Sequence, residues 1–367
     1  MAQFRFARLK WMALTAISGG TLLALLSVFL FHPAVVSAAG QRPTPILTDH
    51  PHIAGARNHY SDALVATKLA RLHARVPADI SYNYTTATNW PVLFVHGFNG
   101  NGSIDCKNSY WGSATNFLQS HGWTGSLVTL GYYTNDHNCT DSLGSYAPMC
   151  TNSYPGHQGT TNEDLRHVSC ELAWYIWYHY TQYGQNVQLV GHSMGGLLIR
   201  WALYETPVDA NLPPYIGVQD AVTMATPQGG IPVVGAAIFL CGGCLQANQM
   251  RTNNTFWEML NSFGQNPQGA GWGTDWTMMG SSCESFYNVF DLGVSWQSAL
   301  DMTGGHKTEY LNPPCYNHGG YLTDTSITEN AHANFCDGCG PDVVTHSSNY
   351  FPRSLYNMLF SLEYSSW

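Results

Sequence analysis

"VQLVGHSMGGLLIRW", residues 187–201, decides how the chain is read. Val187, Leu189 and Val190 are apolar and β-branched in part, suited to a buried strand, and Leu197 to Trp201 resumes with residues suited to a helix. Between them stand Gly191, His192, Ser193, Met194 and Gly195, so strand must become helix within a few residues. A turn that tight crowds the backbone, and the positions two before and two after its apex must be small. Gly191 and Gly195 occupy those positions and leave Ser193 displayed at the apex. A serine hydroxyl is a weak nucleophile at neutral pH, and it needs exposure, a base and donors for a developing oxyanion. The turn supplies the exposure and points the first amides of the helix at the reacting atom. Chance occurrence of G-x-S-x-G in a chain of 36 glycines is the competing reading. The strand before it and the helix after it weigh against chance.

Upstream, "PVLFVHGFNGNG" (91–102) reads as a buried strand breaking into a glycine-rich loop. Its "FVHGF" end stands where a second oxyanion donor belongs, which makes the amides of Phe98 and Met194 the candidate pair. His96 and His192 lie on strand ends rather than on a loop able to arch over Ser193, and both read as structural. "GSLVTLGYY" (125–133) predicts another strand. Leu165, Val168, Leu172 and Ile176 keep helical spacing in a segment that runs to Tyr183 and stops at Gly184. With strand 187–192 and a helix from Gly195 to Glu205, the pattern is βαβα, which predicts a mainly parallel sheet. "IGVQDAVTMATPQGG" (216–230) adds a strand and loop.

"VLFVHGF", "LVGHSMGG", "TMATPQGG" and "FDLGVSWQSAL" occur in the order and rough spacing of secreted bacterial lipases and esterases of the α/β-hydrolase fold, which the chain resembles from about residue 88 to 364. The resemblance implies an α/β-hydrolase fold: a mainly parallel sheet flanked by helices, here with disulfide-tied loops. It implies a Ser–acid–His triad in that chain order. Asp291, delivered by "SFYNVFD", is the expected acid, with Asp301 and Asp275 behind it. His346, ahead of the last amphipathic helix, is the expected base; His332 is its main rival, and His306 and His318 stand in glycine-rich loops. Residues 231–264 are expected to form either a lid over an acyl pocket or ordinary core helices. The implied activity is hydrolysis of carboxylic esters with apolar acyl groups, through an acyl-enzyme. Acyl transfer to an alcohol, polyester or amide cleavage, and a catalytically silent binding protein are the alternatives.

Composition sets outer bounds. Hydrophobic residues are 44% and charged residues 10% of 367, enough apolar material for a large core. Residues 1–39 carry Arg5, Arg8 and Lys10, an apolar run from Trp11 to Phe31 and a small-residue exit, the layout of a secretory signal, with an uncleaved membrane anchor as the alternative. Residues 40–87 read as an arm with a short helix, and 88–367 as the catalytic domain. The formal charge of −9 argues against nucleic-acid partners and leaves a lipid or apolar ester substrate, met through transient contact with a lipid interface. Ten cysteines in an exported chain predict disulfides. The alternative joins "CGGC" (241–244) and "CDGC" (336–339) in a four-thiolate zinc site. No cofactor is expected; structural calcium or zinc, for which "DHPH" (49–52) offers ligands, is the reservation.

Overall fold

The computed structural model describes residues 83–84, 88–154, 159–206, 209–231, 241, 243–252, 254–262, 274–284, 294–326 and 330–366. Nine strands form one sheet: β1 Val92–Val95, β2 Leu127–Gly131, β3 Asp141–Ser142, β4 Val187–His192, β5 Val218–Met224, β6 Asp275–Ser281, β7 His306–Tyr310, β8 Ala331–Asp337 and β9 His346–Phe351. Their order is β9-β8-β7-β6-β5-β4-β1-β2-β3. From β3 to β7 every pairing is parallel, and β8 and β9 add antiparallel at one edge.

Both faces of the sheet's middle strands are covered, which is why a strand such as β1 reads as a continuous apolar run rather than an alternating one. Leu93, Val95, Leu189, Ala221 and Met278 point into a core shared with α2 (Leu165–His179) and α3 (Met194–Glu205). Val92, Phe94, Val190, Val222 and Met279 point the other way, to α1 (Gly112–Ser120) and α5 (Ser354–Glu363). This three-layer, mainly parallel arrangement is the expected α/β-hydrolase fold. Helix α2 ends at His179, a turn before the expected stop; a separate short turn at Thr181–Tyr183 then closes on Gly184, whose φ of 75° is one that glycine adopts without penalty.

The chain leaves β1 towards β2 on one side and returns through α2 to β4 on the other. Such a reversal opens a crevice above the carboxyl ends of the strands, where ligands bind in open α/β sheets. The ends of β1, β4, β6 and β7 all face that edge, since these strands run parallel.

All ten cysteines are paired: Cys106–Cys139, Cys150–Cys170, Cys241–Cys244, Cys283–Cys315 and Cys336–Cys339. Each C-x-x-C is bridged within itself, which uses the thiolates that the four-cysteine zinc alternative required. Within 231–264, α4 (Thr255–Ser262) packs as a core helix, with Phe256 stacked on Trp201 of α3 at 4.9 Å and Leu260 buried. Residues 232–240, the apolar start of the expected lid, lie outside the described residues. So do the leader at 1–39, the helix expected over 65–76 and "DHPH". Among the described residues no helix is long and apolar enough to cross a membrane.

Candidate active site

Ser193 stands between β4 and α3 with φ 55° and ψ −129°, a backbone conformation that a residue with a Cβ adopts only when its surroundings enforce it. The enforcement is local. A Cβ on Gly191 would lie 2.7 Å from the Gly196 nitrogen, and one on Gly195 would lie 2.1 Å from the Val95 carbonyl oxygen. Both glycines are therefore required by close backbone approach, the turn against its own helix and the helix against β1. The Ser193 amide donates to the Met224 carbonyl at 2.9 Å, which ties the apex to the end of β5.

The loop after β1 reaches the serine from the other side. A Cβ on Gly97 would fall 2.7 Å from the Ser193 Cβ, so this loop touches the nucleophile directly. Met194 opens α3, and the first amides of a helix have no partner within it. Among the described residues neither the Met194 amide nor the Phe98 amide donates to a protein acceptor. The Phe98 side chain packs against the small cluster formed by Cys244 and Ala247. The two amides belong to the two chain segments that meet at the serine, the loop after β1 and the start of α3.

His96 and His192 tie these segments to their neighbours. His96 stacks on Tyr132, with ring centroids 4.0 Å apart, and reaches the Gly97 carbonyl through Nδ1 and Asp136 through Nε2. Asp136 also accepts from the amides of Ile104, Tyr132 and Tyr133, so one carboxylate fixes the loops after β1 and β2 together. His192 belongs to a relay whose directions follow from donor chemistry. The Gly97 amide donates to the Tyr110 hydroxyl at 2.8 Å, so that hydroxyl is free to donate to His192 Nδ1 at 2.6 Å. The Nε2–H of His192 then donates to the His318 carbonyl at 2.7 Å. Burial holds the imidazole well below its ordinary value, with His318 nearby adding to the effect, so His192 stays neutral as the relay requires.

The relay ends at a residue that the sequence reading ranks low. The His318 Nδ1 lies 2.5 Å from Glu284 Oε1, and the Glu284 side chain is almost completely enclosed. Glu284 is further held by the Val294 amide and the Tyr321 hydroxyl. It follows β6 by three residues, and His318 follows β7 on the long loop before β8. The disulfide Cys283–Cys315 joins these two loops beside both residues. With its Nδ1–H held by a carboxylate, the imidazole of His318 keeps Nε2 available as a base.

The other expected partners lie elsewhere. His346 is exposed and begins β9, the edge strand five pairings from β4. At roughly 4.8 Å per strand that is about 24 Å from the serine strand, far beyond hydrogen-bond reach. This corrects the expected base. In chain order the antiparallel strands β8 and β9 come between β7 and the last helix, so nearness to that helix in sequence does not bring a residue to the elbow. His332 lies on β8, four pairings from β4. Asp275 and His306 pair at 3.2 Å, but each is the first residue of its strand and so faces the opposite edge. Asp301 follows the short helix Trp296–Ala299 and lies against Gly229. Asp291 falls outside the described residues. Glu284 was legible as the first carboxylate after a strand, "DWTMMGS", and His318 as the first histidine after the next.

Comparison with known proteins matches residues 91–259 to the family described as "Putative serine esterase (DUF676)". That span contains Phe98, Ser193 and Met194 and ends before Glu284 and His318. Among solved structures the chain is similar to a Bacillus licheniformis lipase in its mature form, at 17% identity and a TM-score of 0.39, covering 60% of this chain and 82% of that one. It is similar also to Aspergillus fumigatus lipase B, at 16% identity and a TM-score of 0.40, covering 89% and 72%. Curated proteins give no match.

Proposed function

We propose that the chain is a serine hydrolase of carboxylic esters, with Ser193 as nucleophile, His318 as base and Glu284 as the acid that orients it. One observation carries the reading: the glycine-flanked serine at φ 55° lies under the Gly97–Phe98 loop, and the residue beside it, His192, is hydrogen-bonded to His318. The family match over 91–259 supports the ester class, and the sequence resemblance supports an apolar acyl group.

In this reading Ser193 Oγ attacks the ester carbonyl carbon as His318 Nε2 takes its proton. Glu284 holds the Nδ1–H and stabilises the imidazolium. The carbonyl oxygen becomes an oxyanion and accepts from the Phe98 and Met194 amides, a contribution of about 3–4 kcal/mol per donor in related chemistry. The intermediate collapses, His318 returns the proton to the departing alcohol, and an acyl-enzyme remains. Water, deprotonated by the same imidazole, attacks it and restores the serine. The disulfides and the sequence of residues 1–39 support an oxidising, extracytoplasmic setting.

The test is turnover of a p-nitrophenyl ester series, with fluorophosphonate labelling in parallel. Ser193→Ala, His318→Ala and Glu284→Gln should each lower kcat by about 10³-fold or more, and Ser193→Ala should abolish labelling. His346→Ala should stay within about twofold of wild type. Activity retained in His318→Ala but lost in His346→Ala would overturn the assignment of the base. A folded chain that neither turns over nor labels would make this a binding protein.

A further inference from the structure

Tyrosine hydroxyls from other parts of the chain hold the loop after β1 on both sides of Phe98. Ahead of Phe98, the Gly97 amide donates to the Tyr110 hydroxyl at 2.8 Å, and the Tyr132 hydroxyl reaches the carbonyls of His96 and Gly97 at 2.9 and 3.0 Å. Beyond Phe98, the Asn99 amide donates to the Tyr133 hydroxyl: burial pushes that phenol up, and the Asn99 N–H opposes the push. Tyr132 and Tyr133 directly follow β2, where Asp136 accepts from both of their amides at 2.8 Å and so fixes their backbone.

The Tyr133 hydroxyl has a second partner, 113 residues away. It donates to Gln246 Oε1 at 2.7 Å, and both side chains are buried. Gln246 lies on the short helix Leu245–Gln249. Its backbone amide donates to the Thr161 carbonyl at 3.1 Å and its Nε2 to the Thr160 carbonyl at 3.3 Å. An amide nitrogen can only donate, so this contact turns Oε1 towards Tyr133. The same segment meets the loop directly, because the Phe98 ring packs against Cys244 and Ala247. Helix Leu245–Gln249 therefore backs the loop twice, through the Phe98 ring and through the hydroxyl behind Asn99. An apolar pair would fill the space of Tyr133 and Gln246 without needing partners, whereas a satisfied buried hydrogen bond also fixes direction. Direction is what a donor to a developing oxyanion requires.

We propose that Gln246, acting through Tyr133, is a positioning residue for the Phe98 amide. The proposal rests on the reading of Phe98 as an oxyanion donor and adds what aims it: a helix outside both the elbow and the loop.

The experiment compares a p-nitrophenyl ester with its thiono analogue, in which C=S replaces C=O, using the full oxidised chain. Sulfur accepts hydrogen bonds weakly, so the oxygen-to-sulfur ratio of kcat/KM reports the oxyanion contact, while loss of the base or of folded protein lowers both rates together. Gln246→Met and Tyr133→Phe act on opposite ends of one bond, and either one, folded by near-ultraviolet circular dichroism, decides the matter. Each should lower kcat about tenfold with KM little changed, and should lower the ratio about fivefold or more. Gln249→Met is the control on the same helix: Gln249 bonds the Leu165 amide at 2.9 Å and Asp164 at 2.8 Å rather than Tyr133. It should lower the melting temperature and leave the ratio within about twofold of wild type. A wild-type ratio in folded Gln246→Met or Tyr133→Phe overturns the proposal, and so does a ratio that falls equally in Gln249→Met. Turnover that survives Ser193→Ala overturns the reading of the site itself, and this proposal with it.

Discussion

Replacing both members of the Cys283–Cys315 bridge with serine tests whether the acid and the base are held as a pair. The bridge closes a loop of sequence separation 32. In the chain-entropy relation such a loop gives about 3.7 kcal/mol at 25 °C, a large share of the roughly 5–15 kcal/mol by which native domains are stable. The loss should not be confined to global stability, because the bridge lies at the site itself. Glu284 is the next residue after Cys283, and His318 comes three residues after Cys315. The remaining ties between these loops include the Ser282 amide to the Tyr310 carbonyl at 3.0 Å and the Glu284–His318 contact. Urea denaturation of the double variant should show a loss of about 3–4 kcal/mol. At a temperature well below its melting point kcat should fall about tenfold or more, with KM little changed, because positioning and not binding is lost. A variant with lowered stability but wild-type kcat would refute the link between bridge and site. Unchanged stability as well would mean that the loops are held by other contacts.

Gly195→Ala should be destabilising, although alanine favours helices, because the new methyl would stand 2.1 Å from the Val95 carbonyl oxygen. Thermal unfolding should show a cost of about 1–3 kcal/mol or more, and a stabilised variant would remove close approach as the reason for that glycine. Tyr110→Phe removes the hydroxyl between the Gly97 amide and His192 Nδ1. It should cost about 1–3 kcal/mol and lower kcat; unaltered kinetics would show that the relay does not position the site. Burial disfavours the charged form of His306, but Asp275 and Asp337 outweigh it and raise its pKa above the ordinary value. The folded state then binds that proton more tightly, so the contribution is full below about pH 6.5 and is lost as pH rises through the raised value. His306→Gln should flatten this part of a urea-midpoint profile against pH, and a slope that persists would assign it to another group.

The glycine-flanked turn at Ser193 and the loop after β1 were legible because both depend on short-range signals. An apolar run of strand length ends at glycines in each, and only those glycines permit the contacts with Val95, Gly196 and Ser193. The acid and base were not legible in the same way. Strand β6 begins with Asp275 and holds one threonine, two methionines and a glycine, so it lacks the cluster of aromatics in "SFYNVFD" and is easily passed over. The acid was sought among aspartates alone, although a glutamate serves equally. His346 was chosen by its distance in sequence from the last helix. No local pattern announces that β8 and β9 turn antiparallel and carry that histidine to the far edge. His318 comes beside His192, the neighbour of the serine, through a contact 126 residues apart that only the folded chain displays.

The order of the five disulfides bears on how the chain acquires its covalent form. Each cysteine is bonded to the next one along the chain, from Cys106–Cys139 to Cys336–Cys339, with no bridge enclosing or crossing another. Ten thiols can pair in roughly 900 ways, and this is the arrangement that needs no search. A chain entering an oxidising compartment amino-terminus first presents each thiol with its native partner before the following pair arrives. Oxidation can then proceed vectorially, as fast as thiols emerge, with little demand for isomerases to undo wrong pairs. Refolding from the fully reduced, full-length state loses that advantage, since all ten thiols then compete at once. Production that exports the nascent chain should therefore outperform refolding from inclusion bodies, even though both end at the same molecule.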